Sequence, residues 1–157
     1  MAKYDELCTL YRAAASRLQE YETSCSTFIE NFFAGLTDFL QSPENALQFH
    51  LLTDPLNIET ALPLAKAINH SPDGFYDVIF SLNIHSGDEN DRILAAARFK
   101  KMKEYFIIRI GMSRKEFQIQ EPNTQKDVYE YIFTAIKDYY QKDGFIKSLP
   151  ATIGFTI

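Results

Sequence analysis

The strongest hydrophobic pattern lies in the first quarter of the chain. Between Tyr4 and Leu40, apolar residues recur at alternating steps of three and four, the spacing of one face of an α-helix. Residues 23–27 (TSCST) are poor helix formers, yet the pattern keeps its phase across them. We therefore predict one continuous or gently bent helix, which ends ahead of Ser42 and Pro43 because the residue before a proline avoids the helical region. The stripe comprises Tyr4, Leu7, Tyr11, Ala14, Leu18, Tyr21, Cys25, Phe28, Phe32 and Phe39.

The middle of the chain alternates apolar and polar residues, as strands with one buried face do. This alternation predicts strands at 46–52, 75–85 and 115–120. Aromatic and β-branched residues favour a strand at 104–111, after a reversal at Lys103. The alanines of 92–102 suit either a helix or a strand, and we favour a strand. The connecting elements are a short helix at about 58–69, a turn at 71–74 (SPDG) and a loop at 86–91 (SGDEND).

A second amphipathic helix closes the predicted fold. Thr124 and Asp127 suggest its N-cap, and the helix is expected to run to about Lys142, with Gly144 as its C-cap. Its apolar face holds Val128, Ile132, Ala135, Ile136 and Tyr139. The order of elements predicts a single α+β domain over residues 1–157. In this domain the long first helix and the last helix pack on one face of a mainly antiparallel, roughly five-stranded sheet.

The predicted first helix is too long for the domain that its own chain can build. A compact domain of 157 residues has a diameter near 40 Å, whereas a straight helix from Tyr4 to Leu40 is about 55 Å long. Its later half is rich in phenylalanine and suits a core, while small alanines in its earlier half suit contact with another helix. We therefore expect a homodimer in which residues 3–24 project. The expected contact residues are Tyr4, Leu7, Tyr11, Ala14 and Leu18.

Charge is distributed unevenly along a chain whose formal net charge is −5. Residues 1–60 hold three basic and nine acidic residues, whereas residues 92–115 hold eight basic residues and one acidic residue. The second segment is a candidate surface for an acidic partner or an anion. Its residues suit equally well the solvated face and edges of a sheet. The candidate residues are Arg98, Lys100, Lys101, Lys103, Arg109, Arg114 and Lys115.

No group of residues nominates a catalytic or metal centre. The P-loop, GxGxxG, GxSxG, HExxH and paired CxxC strings are missing. We therefore expect no cofactor and no metal, and an enzyme is not favoured. Two HSxD strings, 70–73 and 85–88, lie about 30 Å apart at the ends of a predicted strand, and turn chemistry explains both. His50 is expected to be a hydrogen-bonded sheet residue. Cys8 and Cys25 are about 25 Å apart along one helix, too far for a disulfide within the chain.

Three functions are compatible with these patterns. The chain has no stretch apolar enough for a membrane helix and no apolar leader at its start, so a cytoplasmic protein is expected. We favour a non-enzymatic, dimeric protein-binding module, comparable by analogy alone with small acidic secretion chaperones and immunity proteins. A small-molecule binding protein or enzyme is the first alternative, with a pocket between the sheet and the last helix. Weak binding of an anion or nucleic acid by residues 92–115 is the second, and the negative net charge disfavours nucleic acid. The pocket would draw hydroxyls from Tyr129, Tyr131, Tyr139 and Tyr140.

Overall fold

A computed structural model describes residues 2–51, 61–111, 115–120 and 125–141. Its helices are α1 (Lys3–Leu40), α2 (Leu64–Ala67) and α3 (Gln125–Gln141). α1 continues through residues 23–27, as the phase of its stripe predicted. It ends where Gln41 adopts a left-handed conformation with φ of 51° and donates its amide to the Asp38 carbonyl. The predicted end ahead of Ser42 and Pro43 is therefore confirmed.

The described strands form one antiparallel sheet. In chain order they are β1 (Leu47–His50), β2 (Asn69–His70), β3 (Tyr76–Ser86), β4 (Glu89–Lys101), β5 (Phe106–Ile110) and β6 (Glu116–Ile119). The order across the sheet is β1-β3-β4-β5-β6, and the two-residue β2 pairs with the start of β3. β3 to β6 form a meander whose longest hairpin pairs Tyr76 with Phe99 at one end and Ser86 with Glu89 at the other. The described sheet thus has six strands, and the hydrophobic pattern predicted all of them except β2.

Two further details differ from the sequence prediction. The loop expected at 86–91 is a tight turn at Gly87 and Asp88, and β4 begins at Glu89. The polar residues beside this turn pair across an exposed hairpin end, where no apolar alternation is needed. The short helix expected at about 58–69 covers only Leu64–Ala67 among the described residues, and residues 52–60 lie outside them. Residues 92–101 of the segment expected at 92–102 lie in β4, so the favoured strand is confirmed.

α1 and α3 pack on the same face of the sheet, which confirms the α+β class. Phe28 of α1 stacks on Phe106 of β5 with ring centroids 3.9 Å apart. Phe32 meets Phe99 of β4 edge to face at 5.2 Å. From α3, the Tyr131 ring lies 5.5 Å from that of Phe117 in β6. Interlocked aromatic rings of this kind supply much of the buried area that holds helices against a sheet.

The opposite face of β3 is more buried than its polar residues suggested. The alternation predicted one buried face for this strand, yet Asp77, Ile79 and Ser81 on its other face are also buried. The two polar side chains are paired: Ser81 Oγ lies 2.8 Å from His50 Nε2, and Asp77 accepts from Arg98. Burial of paired polar groups costs little, so polar residues in a central strand did not mark a solvated face. The expected hydrogen-bonded role of His50 is confirmed.

Candidate functional site

The first half of α1 extends away from the rest of the described chain. Every residue from Lys3 to Glu20 is exposed except Cys8, which is half-buried. This segment of 18 residues is about 27 Å long at 1.5 Å per residue. From Cys25 onward the same helix enters the core, where Ile29, Phe32 and Leu36 are completely buried. One helix therefore has an exposed first half and a second half that is buried along one face.

Apolar side chains follow one face of the projecting half. We name Tyr4, Leu7, Tyr11, Ala14 and Leu18 the exposed stripe. The four large members are 75%, 63%, 73% and 51% exposed, respectively. Leu10, which is not among the predicted contact residues, flanks the stripe and is 59% exposed. At 100° per residue the exposed stripe continues directly into the buried face that begins at Cys25. The helix presents one apolar face, and the sheet covers only the second half of it.

A tyrosine pair marks the point where α1 meets the sheet. Tyr21 packs against Tyr76 with ring centroids 6.2 Å apart. The Tyr76 hydroxyl is buried and has no hydrogen-bond partner among the described residues. Burial, with smaller effects of Cys25 and Glu22, raises the pKa of Tyr76 to about 12. Burial also raises the pKa of the Cys25 thiol, which suits a packed side chain and not a nucleophile.

The predicted basic stretch is divided between the two faces of the sheet. Arg98, Lys100 and Arg109 lie on the face away from the helices, where all three approach the ring of Phe75. Arg98 and Arg109 are direct neighbours across β4 and β5. The distances from the two guanidinium carbons to the ring centroid are 4.5 and 4.7 Å. We name Phe75, Arg98, Lys100 and Arg109 the Phe75 cluster. The pattern of charges in the sequence did not indicate that Phe75 lies at its centre.

Carboxylates neutralise the arginines of this cluster. Arg98 bridges Asp77, at 2.6 Å, and Asp73, at 2.7 Å. Arg109 pairs with Glu116 on the neighbouring strand. The hydrogen bond from Arg98 holds the pKa of Asp73 below its ordinary value. The three acids balance the three cations of the cluster, so the arrangement has the features of a structural clamp more than those of an anion site.

The remaining basic residues lie apart from this cluster. Lys101 reaches the helix side of the sheet and donates to Ser24 Oγ at 3.0 Å. Lys115 lies over the rings of Phe117 and Tyr131, also on the helix side. Lys103 is exposed at the turn between β4 and β5. Arg114 lies outside the described residues. The structure therefore does not bring the described members of the basic stretch together on one face.

Both HSxD strings lie at turns of the chain. At the first string, the Ser71 carbonyl accepts a hydrogen bond from the amide of Gly74. The Asp73 carboxylate accepts one from the amide of Phe75. At the second, His85 contacts Asn90 across the hairpin. Among the residues that the structure describes, no group of three or more His, Cys, Asp or Glu side chains is placed to hold a metal ion.

The space between the sheet and α3 is filled by apolar side chains. A gap between Leu36, Phe80 and Ile132 has room for only about 10 Å³. A groove of about 340 Å³ opens at the edge of this interface, and its described walls are mostly apolar. None of the four candidate tyrosines lines it. Its polar contributors include Ser42, whose buried hydroxyl has no partner among the described residues, and Asn83, which Arg92 engages at 3.2 Å.

The hydroxyls of Tyr129 and Tyr140 in α3 have hydrogen-bond partners within the fold. The Tyr129 hydroxyl lies 2.8 Å from the Phe32 carbonyl, and burial raises its pKa to about 12. The Tyr140 hydroxyl lies 2.5 Å from Asp91, in a smaller depression of about 200 Å³ that also contains His85. A wider concavity of about 510 Å³ runs along α1 from Ser16 to Ser24, but its described walls belong to one helix and offer no converging groups.

Comparisons with protein-family models, with curated proteins and with solved structures found no significant match to this chain. None of the described helices is long and apolar enough to cross a membrane.

Proposed function

We propose that this chain is a cytoplasmic, non-enzymatic protein-binding module that acts as a homodimer through the exposed stripe. The observation that carries the proposal is a row of large apolar side chains, each more than half exposed, along about 27 Å of helix. An apolar face of this length on an otherwise charged helix marks an interaction surface. It is also the longest apolar feature that the described part of the chain leaves uncovered.

The size of the surface is sufficient for a specific dimer. Tyr4 and Tyr11 would each remove about 150 Å² from water, because a buried aromatic side chain contributes about 150–250 Å² and both are 73–75% exposed. Leu7 and Leu18 would each add on the order of 100 Å². Two copies would then bury about 1,000 Å², the lower limit for a specific interface. A helix pair of this area gives a moderate affinity, so the dimer is expected to form at micromolar concentrations.

Sedimentation equilibrium of the full chain over a range of micromolar concentrations tests the proposal. The expected result is a concentration-dependent mass that approaches twice the 18.1 kDa of one chain. Tyr11→Glu places a charge in the middle of the exposed stripe and should shift the protein to the monomer. Thr9→Glu places the same charge on the opposite face of the helix, where it should leave the dimer intact. A monomer at every concentration, or equal effects of the two substitutions, would contradict the proposal.

A second candidate function is the binding of a small apolar ligand in the groove beside α3. Its volume of about 340 Å³ lies in the range of ligand sites, and Ile84, Phe133 and Ile136 supply apolar walls. A fluorescent apolar dye should therefore bind with a single saturable phase. Phe133 is 44% exposed, so Phe133→Asp should weaken dye binding without unfolding the protein. Unchanged dye binding in this variant would argue against the groove.

A further inference from the structure

We propose that the two copies of α1 pair antiparallel, so that the tip of each projecting helix reaches the body of its partner. This inference rests on the homodimer proposed above and adds the orientation and register of the two chains. Three observations carry it: the course of the apolar face along α1, the sizes of the residues on the exposed stripe, and the order of charges beside it.

The course of the apolar face excludes a parallel pair. The exposed stripe and the buried residues Cys25, Ile29, Phe32 and Leu36 lie on one continuous face of a single helix. A partner helix laid parallel and in register on this face would continue past Tyr21 into the volume that the first chain's own sheet occupies. An antiparallel partner instead ends at its Lys3, close to the point where the sheet begins. The available length of about 27 Å therefore accommodates an antiparallel overlap and no parallel one.

The register follows from the extent of the projecting half. An overlap of residues 3 to about 21 on both helices places Tyr11 opposite the partner's Ala14 and Leu7 opposite the partner's Leu18. Tyr4 then meets the partner's Tyr21, at the start of the partner's body. The two central layers, which are related by symmetry, each combine Tyr11 with Ala14, and this allows the helices to approach closely there. A parallel pair would set Tyr11 against Tyr11 and Ala14 against Ala14, and its layers would differ in width.

The order of charges gives the same orientation. Glu6 and Arg17 lie on one flank of the exposed stripe at 100° per residue. In an antiparallel pair centred between Tyr11 and Ala14, Arg17 approaches the partner's Glu6, and the contact occurs twice by symmetry. A parallel pair would place the two copies of this flank on opposite sides of the interface, so Arg17 and Glu6 would not meet. Arg12 approaches its own copy near the centre of the antiparallel pair, and this single repulsion opposes the two attractions.

Distances between spin labels at exposed positions test the orientation. Ala2, Thr9 and Ala13 lie away from the exposed stripe, and each would be changed to Cys in a Cys8→Ser background that retains the buried Cys25. Antiparallel pairing separates the two copies along the helix axis by about 30 Å at position 2, about 10 Å at position 9 and about 2 Å at position 13. The label-to-label distance should therefore grow steadily from position 13 to position 2. In a parallel dimer the distance would be the same at all three positions.

The outcomes separate the two proposals. A dimer in sedimentation with equal label distances would overturn the orientation and leave the homodimer in place, whereas a monomer without dipolar coupling would overturn both. Charge substitutions provide a test without labels. Arg17→Glu should weaken the dimer about tenfold, because two attractions become repulsions. Adding Glu6→Arg to this variant should restore the affinity. An unchanged affinity for Arg17→Glu would contradict antiparallel pairing, because that register brings Arg17 close to the partner's Glu6.

Discussion

Leu18 and Leu36 allow the two halves of α1 to be tested with one substitution. Eighteen residues are five helical turns, so both leucines lie on the same face of the helix. Leu18 is 51% exposed, whereas Leu36 is completely buried between the helices and the sheet. Replacing either by Ala removes the same atoms and leaves a good helix former. Only the surroundings of the two positions differ.

The expected magnitudes follow from the exposed fractions. Leu→Ala removes about three carbons at about 0.8 kcal/mol each, or about 2.4 kcal/mol for full burial. Leu36→Ala should therefore lower the free energy of unfolding by about 2–5 kcal/mol, with the cavity term included. Leu18 has about half of its surface left to bury, which gives about 1.2 kcal/mol per chain and about 2.4 kcal/mol per dimer. That loss corresponds to an increase of about 60-fold in the dimer dissociation constant.

Two measurements separate these effects. Urea unfolding at a protein concentration below the dimer dissociation constant reports the stability of the single chain, which Leu18→Ala should change by less than about 0.5 kcal/mol. Sedimentation equilibrium reports the dimer. If Leu18→Ala destabilised the dilute monomer as much as Leu36→Ala does, the projecting half would be packed on its own chain and the reasoning would be wrong. An unchanged dissociation constant would remove Leu18 from the interface.

Three further predictions concern the body of the protein. Gly35→Ala should destabilise the fold by about 1–3 kcal/mol, because the new methyl group would overlap the Tyr129 hydroxyl. Adding Tyr129→Phe should recover part of the lost stability. If the effects of the two substitutions on urea unfolding were additive, the clash would be refuted. Tyr76→Phe should stay within about 1 kcal/mol of the parent at pH 8, because the hydroxyl it removes has no partner among the described residues. The raised pKa of Tyr76, about 12, means that its contribution is complete below pH 10 and is lost as the pH rises from 10 to 12; the variant should lose less stability there, and identical losses would count against a buried neutral hydroxyl. Asp73→Asn with Glu116→Gln should increase retention on heparin, because it removes two of the three carboxylates that pair with Arg98 and Arg109 and leaves only Asp77. Unchanged retention would show that the arginines are not accessible.

The sequence determined the elements and class of this fold. A helical stripe that kept its phase through residues 23–27 is a strong signal, because a break would have disturbed the register of Tyr21, Cys25 and Phe28. The five longer strands were also predicted, four of them because they alternate or are rich in aromatic and β-branched residues. The alanine-rich segment 92–102 suited a helix equally well, so its strand was only the favoured alternative. β2 was missed because a two-residue strand has no periodicity. The early start of β4 was missed because exposed hairpin residues carry no apolar signal.

The candidate surfaces depended more on tertiary structure. A linear count of charges suggested one basic stretch between residues 92 and 115, but alternate residues of a strand point to opposite faces. Lys101 and Arg98 are therefore on different sides of the sheet, and the acids that neutralise the arginines come from other segments. Which side chains meet across neighbouring strands depends on the register of those strands, and the sequence of one segment does not specify this register.

The exposed stripe shows most clearly the difference between what local spacing predicts and what depends on the folded chain. Local spacing alone determined that α1 has one apolar face from Tyr4 to Leu40, because helical periodicity is a property of neighbouring residues. The width of the sheet decides how much of that face is covered. α1 packs against the sheet only from Tyr21 and Cys25 onward. Periodicity cannot distinguish a face buried by its own chain from one that is left open. Only the assembled fold shows that Tyr4, Leu7, Tyr11 and Leu18 extend beyond the sheet, since burial depends on segments distant in the sequence.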